Sequence, residues 1–239
     1  MYEVLGSPTS RPFRVIWLLE ELGQPYKVNK AAPQSEDVLA LNPSGKIPVL
    51  KDGEEIVTDS TAIMTYLADK HGALTFPAGT IERAHQDALT NCILDEIDSV
   101  LWIATRHNFT LPEEQRVPEI RHPAKWEFGR NVDRLMKRCK GPFLMGDTFT
   151  IPDIILCHCG TWAKSAKFPS DNEDLKAYLK RCRARDAYQC RAIDACPTDI
   201  HRGLIARYQA LVRVDQRRQN HRHASSVLEL ASNELFGDH

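Results

Sequence analysis

The chain has 239 residues, 42% hydrophobic and 26% charged, with 31 Lys+Arg against 32 Asp+Glu for a formal net charge of -1. That is enough chain to bury a core without disulfide staples. The charge balance excludes a disordered polyelectrolyte and gives no global drive toward nucleic acid or an anionic membrane. No run approaches the ~18 uninterrupted apolar residues of a membrane span, and Met1 to Ser10 lacks the basic-then-apolar order of a secretory leader. The expected setting is the cytoplasm, where the seven scattered cysteines remain free thiols.

Tyr2 to Leu5 reads as a short apolar strand, followed by the turn-rich Gly6-Ser7-Pro8-Thr9-Ser10. Phe13, Ile16, Trp17, Leu19 and Leu22 then carry a helical stripe, with Pro12 near its start and Gly23 just past its end, the pattern of a capped amphipathic helix. Tyr26 and Val28 alternate with polar neighbours as a second strand. After a Pro-rich connection, Ile47 to Leu50 and Ile56 to Thr58 flank Lys51-Asp52-Gly53-Glu54, a hairpin whose Asp-Gly supplies the positive φ. A helix from Ser60 to about His71 buries Ile63, Met64 and Leu67, and Gly72 ends it.

Beyond Pro77 the periodicity is helical only. A stripe from Ala84 through Leu89, Ile93, Ile97 and Leu101 to Ala104 predicts one long helix behind a Thr80 cap. A second helix starts at Pro123 and stops at Gly141-Pro142. A third is announced by Thr150-Ile151-Pro152-Asp153, where a Thr cap and an acid three residues on satisfy each other's orphan amides. The expected organisation is an α/β domain over residues 1–75, an all-helical domain over 80–196 and a basic extension over 197–239. In the extension Leu204, Tyr208 and Leu211 keep helical spacing among Arg202, Arg207 and Arg213. It reads either as a solvated appendage or as a basic helix able to touch RNA or an acidic partner.

The α/β domain contains no cysteine, the first being Cys92, so it cannot run thiol redox chemistry itself. Cys157-His158-Cys159 does not read as a metal cluster, because helical residues two apart point about 200° from each other; core packing is the expectation, and no metal is assigned. Gly45-Lys46 lacks the upstream glycine and the hydroxyl of a phosphate loop. What remains is the hydroxyl cluster Ser7, Thr9 and Ser10 before the first helix. Two readings stand: ordinary capping, or a hydroxyl and unpaired amides that stabilise an anion at a helix amino end.

Ser10-Arg11-Pro12-Phe13-Arg14 resembles the Ser-x-Pro-x-Arg signature of serine-type cytosolic glutathione transferases, the theta/delta-like kind met in bacteria. Asn42 to Leu50, then Asp59-Ser60 and Ala62-Ile63, resemble the glutathione-binding segment of that superfamily, and Phe149 to Asp153 is similar to the capping box of a buried helix in its second domain. The resemblance spans roughly residues 1 to 196. It implies a thioredoxin-like α/β N-terminal domain, an all-α C-terminal domain, a homodimer, and glutathione as co-substrate for attack on hydrophobic electrophiles, as in detoxification.

The resemblance further implies a cis peptide at Pro48, which is cheap only before proline, with the Ile47 backbone pairing with the cysteinyl unit of glutathione. It places Asp59 and Ser60 at the γ-glutamyl group and Lys46 at the glycine carboxylate, Lys46 reading equally as a solubilising surface lysine. Ser10 would donate to the sulfur, with Thr9 and Ser7 as rivals. Lowering a thiol from near 8.5 by about two units takes roughly 2.7 kcal/mol, within reach of a charge-assisted hydrogen bond of about 1.5–3 kcal/mol plus a helix terminus of about 0.3–1 kcal/mol. A pocket for the electrophile is expected between the domains, with Trp102, Arg106, His107 and Phe109 as candidates. Peroxide reduction, dehalogenation and isomerisation begin from the same thiolate, and a non-catalytic scaffold that kept the fold is the reading from another class.

Overall fold

The structure, a computed structural model, describes residues 1–169 and 171–189. The basic extension, with His221 and His223, lies outside the described residues, as does the end of the expected helical domain, with Cys190 and Cys196. Strand β1 (Tyr2–Leu5) feeds helix α1 (Pro12–Glu21), which returns the chain to β2 (Tyr26–Asn29) parallel to β1. A parallel pair needs such a crossover. The single turn α2 (Glu36–Leu39) interrupts the Pro-rich connection, with Val38 buried against Leu5 and Val49. The hairpin β3 (Val49–Asp52) and β4 (Glu55–Thr58) turns at Gly53, whose φ is +63°, and completes the sheet order β2-β1-β3-β4 with β3 antiparallel to both neighbours. The strand starts at Val49 rather than the expected Ile47, because the Ile47-Pro48 peptide is cis and Pro48 has no N–H for the ladder. Helix α3 (Ser60–His71) ends on Gly72 in the left-handed region. This is a thioredoxin-like α/β unit.

Helix α1 is not the amphipathic surface helix its stripe suggests. Pro12 through Leu19 are all buried, Arg14 included, because α3 covers one side and elements of the helical region cover the other. Those elements begin with α4 (Ile81–Ile93), capped as expected by Thr80, whose hydroxyl accepts from the Arg83 amide at 3.2 Å. The expected single long helix is broken. A wide π-type turn, Leu94–Asp98, precedes α5 (Ser99–Thr105), and a second one, Arg106–Thr110, follows it. Such turns rotate the buried face and mark functional sites often; here the first brings Asp98 inside at 6% exposure.

Helix α6 (Arg121–Arg138) starts two residues before the expected Pro123. Helix α7 (Ile151–Ser165) is buried without a break from Ile151 through Thr161. Its Asp153 accepts from the Thr150 amide at 2.8 Å, the Leu144 amide at 2.9 Å and the Tyr178 hydroxyl at 2.6 Å. Helices α8 (Glu173–Arg183) and α9 (Asp186–Gln189) follow. The last is clasped to α1 by Arg185, which donates to both carboxylate oxygens of Glu21 at 2.7 Å. Cys157 and Cys159 are buried free thiols, as core packing requires.

Candidate active site

The loop between β1 and α1 carries the three hydroxyls. Its entry depends on Gly6, with φ +125°, where a Cβ would stand 2.5 Å from Pro12 Cγ and 2.9 Å from Ile47 Cβ. Only glycine lets the chain pass between the start of α1 and the proline loop. Beyond it, the Ser7 and Thr9 hydroxyls bond each other at 2.8 Å, while Ser10 directs its hydroxyl to the Ser7 carbonyl at 3.2 Å. The Ser10 carbonyl accepts the Phe13 amide at 2.9 Å, so Ser10 sits at the amino end of α1. All three hydroxyl residues line a cavity of about 400 Å³ between sheet and helices. Its other walls are apolar, from Ile47, Phe109, Trp162 and Phe168, with Asn108 and Arg121 as polar members.

The remaining sequence-predicted residues do not line this cavity. Pro48 is buried, and Lys46 is exposed. Asp59 has a φ of +71° and caps α3, its Oδ1 accepting from the Thr61 amide at 2.8 Å and the Ala62 amide at 3.1 Å. It borders a separate hollow of about 680 Å³ on the exposed face of α3, with Tyr66 and Lys70. Ser60 is 2% exposed and faces inward, its hydroxyl 3.5 Å from Arg14 Nη1. Of the co-substrate candidates, Phe109 alone reaches the cavity. His107 is occupied by the Val117 amide at 3.1 Å, and Trp102 packs on Arg11.

Behind Ser10 lies a buried polar cluster. Asp98 accepts from Arg11 through one oxygen and from Arg14 through the other. Burial pushes the Asp98 carboxyl up, but Arg14 and Arg11 outweigh it and bring the group to about 2. Arg14 also donates to His158 Nδ1 from Nε at 3.2 Å and lies 3.1 Å from it through Nη2. An accepting Nδ1 leaves the ring proton on Nε2. Burial first, and then Arg14, hold His158 well below the ordinary imidazole range. The Arg11 guanidinium lies 5.1 Å from the ring centroids of both Trp102 and Trp162.

A family model described as glutathione S-transferase, N-terminal domain, matches residues 1–75. Glutathione S-transferase 1 of Manduca sexta is 27% identical over 218 residues, covering 86% of this chain and 96% of that protein. A glutathione transferase from Methylococcus capsulatus has a crystal structure that matches with a TM-score of 0.70 at 25% identity, over 79% of this chain and 96% of its own. Residues 1–75 carry a glutathione S-transferase N-terminal domain, and the chain resembles glutathione transferases in sequence and fold beyond it. A theta class glutathione S-transferase from Xanthomonas axonopodis pv. citri, with glutathione bound, matches at 26% identity and a TM-score of 0.65 over 79% and 95% of the two chains.

Sequence reasoning singled out the hydroxyl loop and missed what stands behind it. Asp98 and His158 left a faint signal. One is a carboxylate inside the apolar stripe between Ile97 and Leu101, the other an imidazole inside the apolar run Ile154 to Cys159. A polar side chain on a buried face demands a partner, and both find theirs in Arg14.

Proposed function

We propose that this chain is a serine-type transferase that ionises the glutathione thiol at Ser10 and directs the thiolate at a hydrophobic electrophile in the adjoining cavity. The thiol proton leaves to solvent, sulfur forms a bond to the electrophilic carbon, and the leaving group departs with the electrons of its bond. One observation carries the reading: the Ser10 hydroxyl stands at the amino end of α1 and on the wall of a cavity whose other surfaces are mostly apolar. Ser10 is preferred over Ser7 and Thr9 because those two hydroxyls already serve each other. In this reading the Ile47 backbone pairs with the cysteinyl unit, Pro48 shapes that turn, Lys46 meets the glycine carboxylate, and Asp59 with Ser60 holds the γ-glutamyl end. Residues 1–75 form the glutathione-binding unit and 80–196 the helical unit.

The superfamily's usual homodimer and a reducing cytoplasm, which suits the free thiols, complete the proposal. Retention on glutathione-agarose, followed by ultraviolet titration of the bound thiol, tests it. A bound thiol that titrates as it does in free solution favours a scaffold, and absence of binding removes the reading. A panel of halogenated aromatics, peroxides and unsaturated carbonyls then separates conjugation from peroxide reduction, dehalogenation and isomerisation.

A further inference from the structure

The charges behind Ser10 do not balance. At the start of α1, Arg11 just before it and Arg14 within it contribute two guanidinium cations; on the wide turn after α4, Asp98 contributes one anion. On α7, burial and Arg14 keep His158 neutral, and burial pushes the Cys159 thiol up to about 12. Ser60 of α3, also bonded to Arg14, does not titrate. The other acids of the turn are directed elsewhere, Glu96 pairing with Arg134 at 2.7 Å and Asp95 being exposed. One unit of positive charge is left over behind Ser10, apart from Arg121 on the far wall of the cavity, whose guanidinium donates to the Ala166 carbonyl at 2.5 Å. That unit sits where Arg14 is fully buried and the Arg11 side chain is 27% exposed, flat against two indoles. Interiors ordinarily pair their charges, so a surplus cation bonded into the residues that flank a catalytic hydroxyl calls for an anion on the open side.

We propose that the surplus charge of the Arg11–Arg14–Asp98 cluster holds the bound sulfur ionised, acting through space behind Ser10 rather than by contact. The proposal rests on Ser10 as the thiol-binding hydroxyl. A unit charge on the order of 10 Å away, at an effective dielectric near 20, moves a titration by about one pH unit. Arg14 has too many buried partners to remove cleanly. Arg11 has one carboxylate and a partly exposed edge, and its removal leaves Arg14 to pair Asp98 one to one.

The test is ultraviolet titration of glutathione bound to the full chain, in wild type, Arg11→Gln, Arg11→Lys and Ser10→Ala, with kcat/KM for one electrophile measured across pH. Arg11→Gln should raise the thiol midpoint by about one unit and lower kcat/KM about tenfold below the wild-type midpoint, the two rates converging above both midpoints. Arg11→Lys should keep the wild-type midpoint within a few tenths. An unmoved midpoint in Arg11→Gln, an equal shift in Arg11→Lys, or a rate loss constant across pH overturns the proposal and leaves Ser10 standing. A midpoint unmoved in Ser10→Ala overturns the Ser10 reading and this inference with it.

Discussion

Replacing Ser10 by alanine removes one oxygen from the cavity wall, and the size of the effect follows from what that hydroxyl does before substrate arrives. Its proton points to the Ser7 carbonyl at 3.2 Å. To serve a thiolate it must leave that acceptor, so the gain is a difference: a charge-assisted hydrogen bond of about 1.5–3 kcal/mol less a neutral one of about 1 kcal/mol. The remaining ~0.5–2 kcal/mol corresponds to a rise in the thiol midpoint of about 0.4–1.5 units and a ~2–30-fold loss of turnover below the wild-type midpoint. Affinity for glutathione should hardly change, because the contacts proposed for its backbone and carboxylates lie on other residues. Thiolate absorbance against pH gives the midpoint, and turnover at saturating glutathione gives the rate. Ser7 and Thr9 could substitute only by breaking their mutual bond of 2.8 Å. An unchanged midpoint together with an unchanged rate in Ser10→Ala refutes the assignment, and the same pair of measurements on Ser7→Ala and Thr9→Ala would say which hydroxyl holds the role.

Asp98 makes stability depend on acid. Its folded value of about 2 lies below the ordinary 3.8, so its contribution is complete above pH ~4 and fades as pH falls toward 2. That contribution is about 2 kcal/mol. Urea midpoints of Asp98→Asn should therefore trail wild type at pH 5, trail by about half as much at pH 3, and close the gap only at pH 2 or below, and a constant gap would contradict the linkage. Gly6→Ala forces a Cβ into contacts of 2.5 and 2.9 Å at a φ of +125°. It should cost about 2 kcal/mol and lower turnover by displacing the hydroxyl loop; thermal melting and a rate assay check both. Arg185→Ala strands Glu21, whose side chain is only 8% exposed. We expect a loss of about 2–3 kcal/mol, with part of it recovered in the double variant Arg185→Ala/Glu21→Gln because the orphaned charge is gone. Denaturant titration of the two variants gives the comparison.

The parts of the fold that were legible in the sequence are those decided within a few residues. The hairpin follows from Asp52-Gly53 between two apolar runs, and α7 from the reciprocal bonds of Thr150 and Asp153. Thr80, Gly23 and Gly72 mark helix ends for the same local reason. The errors lie where distant packing decides. α2 has a single buried residue, Val38, and that burial exists only because Leu5 and Val49 arrive from two strands. The wide turn at Leu94–Asp98 keeps an apolar stripe that reads as continuous helix, since nothing local says that a rotated face will meet α1.

The same division runs through the site. Ser10 and Ile47 belong to short local patterns, and both line the cavity. Arg14 belongs to such a pattern too, but its environment does not: Asp98 is 84 residues away and His158 is 144. A guanidinium amid a buried helix is intolerable without partners. Its partners come from the helical region, and through Asp98 that region also holds Arg11, the neighbour of Ser10. The amino end of α1, where that hydroxyl sits, is therefore held by two halves of the molecule. Residues 1–75 hold the recognisable motif, yet without α7 and the turn at Asp98 that stretch would leave Arg14 without its partners and uncovered on one side. The site is a property of the interface between sheet and helices, and substitutions at Asp98 or His158 should register at Ser10 although neither lines the cavity.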